Sequence, residues 1–173
     1  MTTFDDWMYA SSPWVWANYG VAFALGLSVV GSAWGIYTTG VTILGASMHK
    51  PEIYSKNLLS VLFSEAIAIY GVIMGFILLT LLPAKGLEDD KSAQTFQVAF
   101  AIFASGLGVG LGNLSAGITV GSIGSGVCMA HCDNPILFVK LFIAEIFGEA
   151  VALIGFITGI IVITGQNFVQ VSD

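Results

Sequence analysis

Three acids in this chain sit where acids are costly. Glu65 lies near the middle of the apolar run Ser60–Leu82, SVLFSEAIAIYGVIMGFILLTLL, and Glu145 and Glu149 lie inside a second apolar run closer to the C-terminus. About 20 apolar residues let a helix cross a bilayer. A charged carboxylate at the centre of such a helix costs roughly 2.5–3.5 kcal/mol on insertion scales. Low dielectric disfavours the ionised form, so a carboxyl there stays neutral by keeping a proton and gives it up beside a cation. The chemistry this suits is proton carriage. Glu145 precedes Glu149 by one helical turn, so the two face the same way and cannot comfortably both ionise. Glu145 therefore reads as a protonated, inter-helix hydrogen-bonding group, with membership of a proton relay as the alternative. Ser60, Ser64 and Tyr70 are the candidate hydroxyl partners near Glu65, with ordinary packing as the competing role for each.

Composition narrows the class. The 173 residues are 56% hydrophobic and 9% charged, with a mean hydropathy of +0.89, values of an integral membrane protein. The five basic residues are all Lys, which argues against nucleic-acid binding and means that any guanidinium partner for the acids belongs to another chain. Cys128 and Cys132 flank His131 and precede Asp133, but this spacing matches no standard zinc pattern. No metal and no cofactor are expected. A G-x-x-x-x-G-K-[ST] string is absent, so nucleotide hydrolysis would occur on another subunit. Met1–Asp6 is acidic and has no basic n-region, so the first membrane helix is expected to do the targeting.

The elements that must hold the acids follow from the hydropathy pattern. An N-terminal tail (1–12) precedes a first helical hairpin (13–82), a hydrophilic loop (83–92), a second hairpin (93–165) and a C-terminal tail (166–173). Within the hairpins, helices are expected at about Trp16–Met48, from the HKPE turn to near Pro83, at Ala93–Ala130 and at Pro135–Thr164. Trp14, Trp16 and Tyr19 suit a headgroup interface. The third segment contains GLGVGLGNLSAGITVGSIGSG, a poor helix in water at about 1 kcal/mol per Gly against Ala. In lipid the backbone has no other way to satisfy its polar groups, so it is expected to stay helical and pack closely. The fold class is an all-α membrane protein with four transmembrane helices.

The chain also repeats itself. Shifting it by 84 positions places Pro51 on Pro135, Lys56 on Lys140, Glu65 on Glu149 and Gly71 on Gly155, with ten of 27 positions identical between 51–77 and 135–161. Two spans per unit make this a parallel duplication of a helical hairpin. Each Lys precedes its Glu by nine residues, ~14 Å of helix. With the lysines at an interface, both carboxyls come about halfway through a ~30 Å hydrocarbon layer. The Lys distribution leans toward placing both short turns in the cytosol.

Taken together, SPWVWANYGVAFALGLSVVGSAWGIYTTG, KPEIYSKNLLSVLFSEAIAIYGVIMGFIL, GLGVGLGNLSAGITVGSIGSG and NPILFVKLFIAEIFGEAVALIGFITGIIV resemble the V-type ATPase proteolipids from Ser12 onward. Within that family SVVGSAWGIYTTG and the acid of the first hairpin suit the c″ branch better than the c branch. The resemblance implies a hetero-oligomeric proteolipid ring that turns against a stator, whose a-type subunit supplies an Arg. It further implies c-type neighbours, a d-type subunit of the central stalk and a vacuolar or other acidic endomembrane, with the plasma membrane as the alternative. It places Glu65 at the essential proton-binding position of c″ and Glu145 at a second family acid. Glu149 departs from the c″ pattern, which has a small residue there, and falls where the ordinary c-type proteolipid has its essential acid.

The expected cycle keeps Glu65 neutral toward lipid and deprotonates it beside the stator Arg, with Glu149 as a second carrier. The Gly-rich helices would line the ring's inner wall, and the other two would present the acids outward. Sodium is the less favoured ion, since no Gln lies near the membrane centre. A proton-coupled drug exporter and a purely structural ring or pore protein are the rival classes. The parallel hairpin repeat and the glycine-packed helices weigh against the exporter.

Overall fold

Two glycine-lined helices form the spine of the molecule, and two more apolar helices pack beside them. The computed structural model describes residues 10–83 and 92–166. In chain order the helices are α1 (Pro13–Ser47), α2 (Tyr54–Leu81), α3 (Ala93–Asp133) and α4 (Leu137–Ile163), with a 3₁₀ turn at Pro51–Ile53. All four are long and apolar enough to cross a membrane. No strand occurs among the described residues. The expected loop tip and the outer parts of both tails lie outside them.

Local chemistry sets the helix ends. Pro13 opens α1 at the first helical position, where a missing N–H costs nothing. The Ser92 hydroxyl accepts from the Thr95 backbone N–H at 3.3 Å and caps α3. α1 starts three residues before the expected Trp16, and α3 continues three residues past Ala130 to Asp133. The Gly-rich stretch is unbroken helix, as its lack of other backbone partners in lipid requires. At ~1.5 Å per residue, the 41 residues of α3 extend ~60 Å, well beyond a ~30 Å hydrocarbon layer. The two short turns lie together: Lys50 Nζ donates to the Cys132 carbonyl.

Glycines set the spacing of the spine. A methyl group at Gly106 would lie 1.9 Å from the Gly20 carbonyl oxygen, and one at Gly117 would lie 2.2 Å from that of Gly31. Only hydrogen fits at either place, so the backbones of α1 and α3 touch. α2 seats Gly71 against Ser28 of α1, and α4 seats Gly159 against Val109 and Ser105 of α3. Between the helices, Ala24, Met74, Leu78, Ile102 and Val109 form the main apolar core. Polar cross-links run through it. Asn113 Nδ2 donates to Ser28 Oγ at 2.8 Å and to the Ile67 carbonyl at 3.4 Å. Ser105 Oγ donates to the Gly159 carbonyl at 2.8 Å. The outside is apolar as well: Phe76, Phe147, Ile154 and Ile161 are each about two-thirds exposed, as suits lipid or neighbouring helices.

Candidate proton-binding site

The three acids sit on two helices in two different settings. Glu65, twelfth of the 28 residues of α2, is exposed on the helix surface. Glu145 and Glu149, one turn apart near the middle of α4, are fully and nearly fully buried. The outward presentation expected of all three acids therefore holds only for Glu65. α4 turns its Glu145, Gly148, Glu149 and Ala152 face inward against its neighbours. The small residues of that face draw it close, and the carboxyls go in with it.

Each buried acid takes one hydroxyl from α2. Ser60 Oγ donates to Glu145 Oε2 at 2.8 Å, and Tyr70 Oη donates to Glu149 Oε1 at 2.9 Å. The remaining oxygens, Glu145 Oε1 and Glu149 Oε2, are buried without a hydrogen-bond partner. A bare carboxylate pair one turn apart in such surroundings would be very costly. Paired rings wall the site: Phe63 with Phe142 and Tyr70 with Phe156, with centroids 5.4 and 5.9 Å apart. Glu145 Oε1 lies near Gly124 of α3, where an added methyl would be 3.1 Å from it.

The hydroxyls expected beside Glu65 are occupied elsewhere. Ser60 and Tyr70 serve the α4 acids, and Ser64 Oγ donates to the Ser60 carbonyl at 3.2 Å. The helix itself accounts for this. Ser60 and Tyr70 are each five residues from Glu65, ~140° round the helix, and Ser64, one residue away, is ~100° round it. Tyr70 thus points along one flank of α2 toward α4, and Glu65 points along the other. No side chain of the described residues hydrogen-bonds Glu65. The Cys128, His131, Cys132 cluster likewise forms no metal site among the described residues. Instead His131 Nδ1 pairs with Asn57 Nδ2 at 3.1 Å.

Comparison with known proteins gives this geometry a family. The family model for the C subunit of ATP synthase matches the chain twice, at residues 19–78 and 103–162. The two matches start 84 positions apart, the offset of the internal repeat. The chain belongs to this ATP synthase C family, among its V-type ATPase proteolipids. The c″ subunit of the V-type proton ATPase of Saccharomyces cerevisiae is 39% identical over 158 residues, covering 91% of this chain and 74% of that protein. The c″2 subunit of the Arabidopsis thaliana enzyme is 47% identical over 150 residues, covering 87% and 84%. The 16 kDa c-type proteolipid of the Homo sapiens V-type proton ATPase is 32% identical over 148 residues, covering 86% and 90%. The chain is thus a multi-pass membrane proteolipid, and the similarity spans both of its acid-bearing helices.

Proposed function

We propose that this chain is a proton-translocating member of a V-type ATPase rotor ring and that Glu65 is its principal proton carrier. The observation that carries the reading is the exposed carboxyl in the middle of a membrane-spanning helix, with no hydrogen-bond partner among the described residues. Glu145 and Glu149, by contrast, are tied to hydroxyls of α2 within this chain and need a side-chain movement before they can exchange a proton. An exposed carboxyl is free to meet a stator.

In the cycle, Glu65 crosses the lipid-facing arc as the neutral acid, because an ionised carboxylate there is too costly. Beside the Arg of the stator's a-type subunit, ionisation is favoured and the proton leaves; the next proton enters from the other side as the ring turns. Each proton moved against a membrane potential requires ~2.3 kcal/mol per 100 mV, supplied by ATP hydrolysis on other subunits. Glu149 is a second carrier, released when the Tyr70 hydroxyl swings away, with Glu145 one turn before it and Ser64 on α2 as relay or structural groups. A d-type subunit couples the ring to the central stalk, c-type proteolipids complete it, and the membrane is that of a vacuole or another acidic compartment.

The test is Glu65→Gln in the intact V-type ATPase. Gln keeps the size and polarity and removes the titratable proton. ATP-driven acidification is expected to fall to background with the ring still assembled. Undiminished acidification would overturn the assignment of Glu65.

A further inference from the structure

Duplication makes the contact within this chain a template for the contact between chains. The first hairpin meets the second through a definite set of residues: Tyr70 on Glu149, Ser60 on Glu145, and Gly31 and Gly35 of α1 on Gly117 and Gly121 of α3. In a ring the second hairpin must meet the first hairpin of the next proteolipid by the same step, with first-hairpin residues advanced by 84 and second-hairpin residues set back by 84. That step carries Glu149 onto Glu65 and Tyr70 onto Ile154. The surface agrees: Glu65 and Val72 are exposed on α2, and Ile154 and Ala144 are exposed on α4. These are the flanks that the step assigns to neighbours.

A second copy of this chain fits those flanks badly. Tyr70 advances to Ile154 and Ser60 to Ala144, so neither hydroxyl is reproduced. On the spine, Gly35 against Gly121 becomes Thr119 against Tyr37, where the original pair approaches so closely that a methyl on Gly121 would lie 2.6 Å from the Gly35 Cα. Continuity with the internal interface thus calls for a proteolipid of different sequence on the Glu65 flank.

We propose that the Glu65 site is completed in trans: the last helix of a neighbouring, non-identical proteolipid donates a phenolic hydroxyl to the Glu65 carboxyl from the position this chain fills with Ile154. The neighbour does for Glu65 what Tyr70 does for Glu149. The opposite flank of this chain, carrying Ile154, offers no such donor, so the chain has a distinct partner requirement on each side. This rests on the reading of the chain as a rotor component with Glu65 as carrier.

The test uses the assembled ATPase with a photoreactive amino acid at Val72, two turns from Glu65 on the same flank, which the step puts in the place Phe156 holds against Tyr70. Peptide mass spectrometry should locate the adduct on the mid-portion of the last helix of a different proteolipid. An adduct on a second copy of this chain, on lipid or stator alone, or no adduct on any proteolipid overturns the proposal. In the neighbour so identified, replacing the residue that aligns with Ile154 by Phe should change the rate of carbodiimide labelling of Glu65 about five- to tenfold, as one lost hydrogen bond predicts. Ile154→Val in this chain should leave that rate unaltered, since it faces the other neighbour. A neighbour without a hydroxyl at that position, or an unchanged rate on its removal, is equally fatal. If Glu65→Gln still pumps, the carrier reading has failed; if it stops pumping but the adduct lies elsewhere, only the trans donor has.

Discussion

Removing one oxygen atom isolates what holds Glu149. In Tyr70→Phe the ring remains to stack on Phe156, now 5.9 Å away, and only the hydroxyl 2.9 Å from Glu149 Oε1 is lost. Because Oε2 is already unpartnered, the variant leaves the whole buried carboxyl without a donor. A neutral hydrogen bond contributes about 0.5–1.5 kcal/mol net, and a buried acceptor left bare costs about 1–3 kcal/mol. We take ~1–1.4 kcal/mol as the bias lost from the inward rotamer, about a five- to tenfold rise in the population that swings out. The assay is the rate of labelling by a hydrophobic carbodiimide in the assembled ring, followed peptide by peptide. Glu65 is the internal reference, since it lies ~140° round α2 from Tyr70. The Glu149 rate should rise about five- to tenfold while the Glu65 rate stays constant. An unchanged Glu149 rate, or an equal rise at both acids, would refute the idea that this phenol holds the carboxyl.

Other perturbations probe the remaining contacts. Glu149→Gln should lower the number of protons moved per ATP without stopping rotation, and an unchanged ratio would remove Glu149 from carriage. Gly106→Ala forces a methyl to within 1.9 Å of the Gly20 carbonyl and should cost about 1–3 kcal/mol or more in the thermal stability of the solubilised ring. Gly45→Ala, with nothing within 4 Å of the added carbon, is the matched control and should stay within about 0.5 kcal/mol of the parent. Ser60→Ala strips Glu145 of its hydrogen bond to α2 and should destabilise by about 1–3 kcal/mol in the same measurement.

Much of this arrangement is written in one dimension. Four apolar runs, a shift of 84 and carboxyls in the middle of their runs are properties of hydropathy and spacing, and they reappear as α1–α4. The rotation of each helix about its own axis is different. It is set by which glycines touch which backbone, a pairing between residues about 85 positions apart. The partners of Glu145 and Glu149, 85 and 79 residues away on α2, depend on that rotation. Closeness in sequence misplaced Ser60 and Tyr70 at Glu65 because five residues along a helix lead to nearly the opposite side. A usable signal was nonetheless present. The two copies differ in polarity at Ser60/Ala144, Val61/Glu145 and Tyr70/Ile154, and Ser60, Tyr70 and Glu145 are the residues that make the polar contacts between α2 and α4.

Those differences bear on where each of two like carboxyls finds its partner. Glu65 and Glu149 occupy equivalent places in a duplicated hairpin, yet only Glu149 takes a phenol from its own chain. The duplication alone would have made them alike. What separates them is that the second copy meets the first within the same chain, where evolution of one gene can install donor and acceptor together. On the proposal above, the first copy meets a different polypeptide, and its donor is encoded there. An acid whose partner is covalently tethered has that partner at every point of the rotation and is harder to free. An acid whose partner sits on another polypeptide depends on the identity of that neighbour. Order around the ring then becomes a chemical variable, since moving this chain next to a proteolipid with Ile rather than Tyr at the facing position would take away the hydroxyl that the proposal assigns to Glu65.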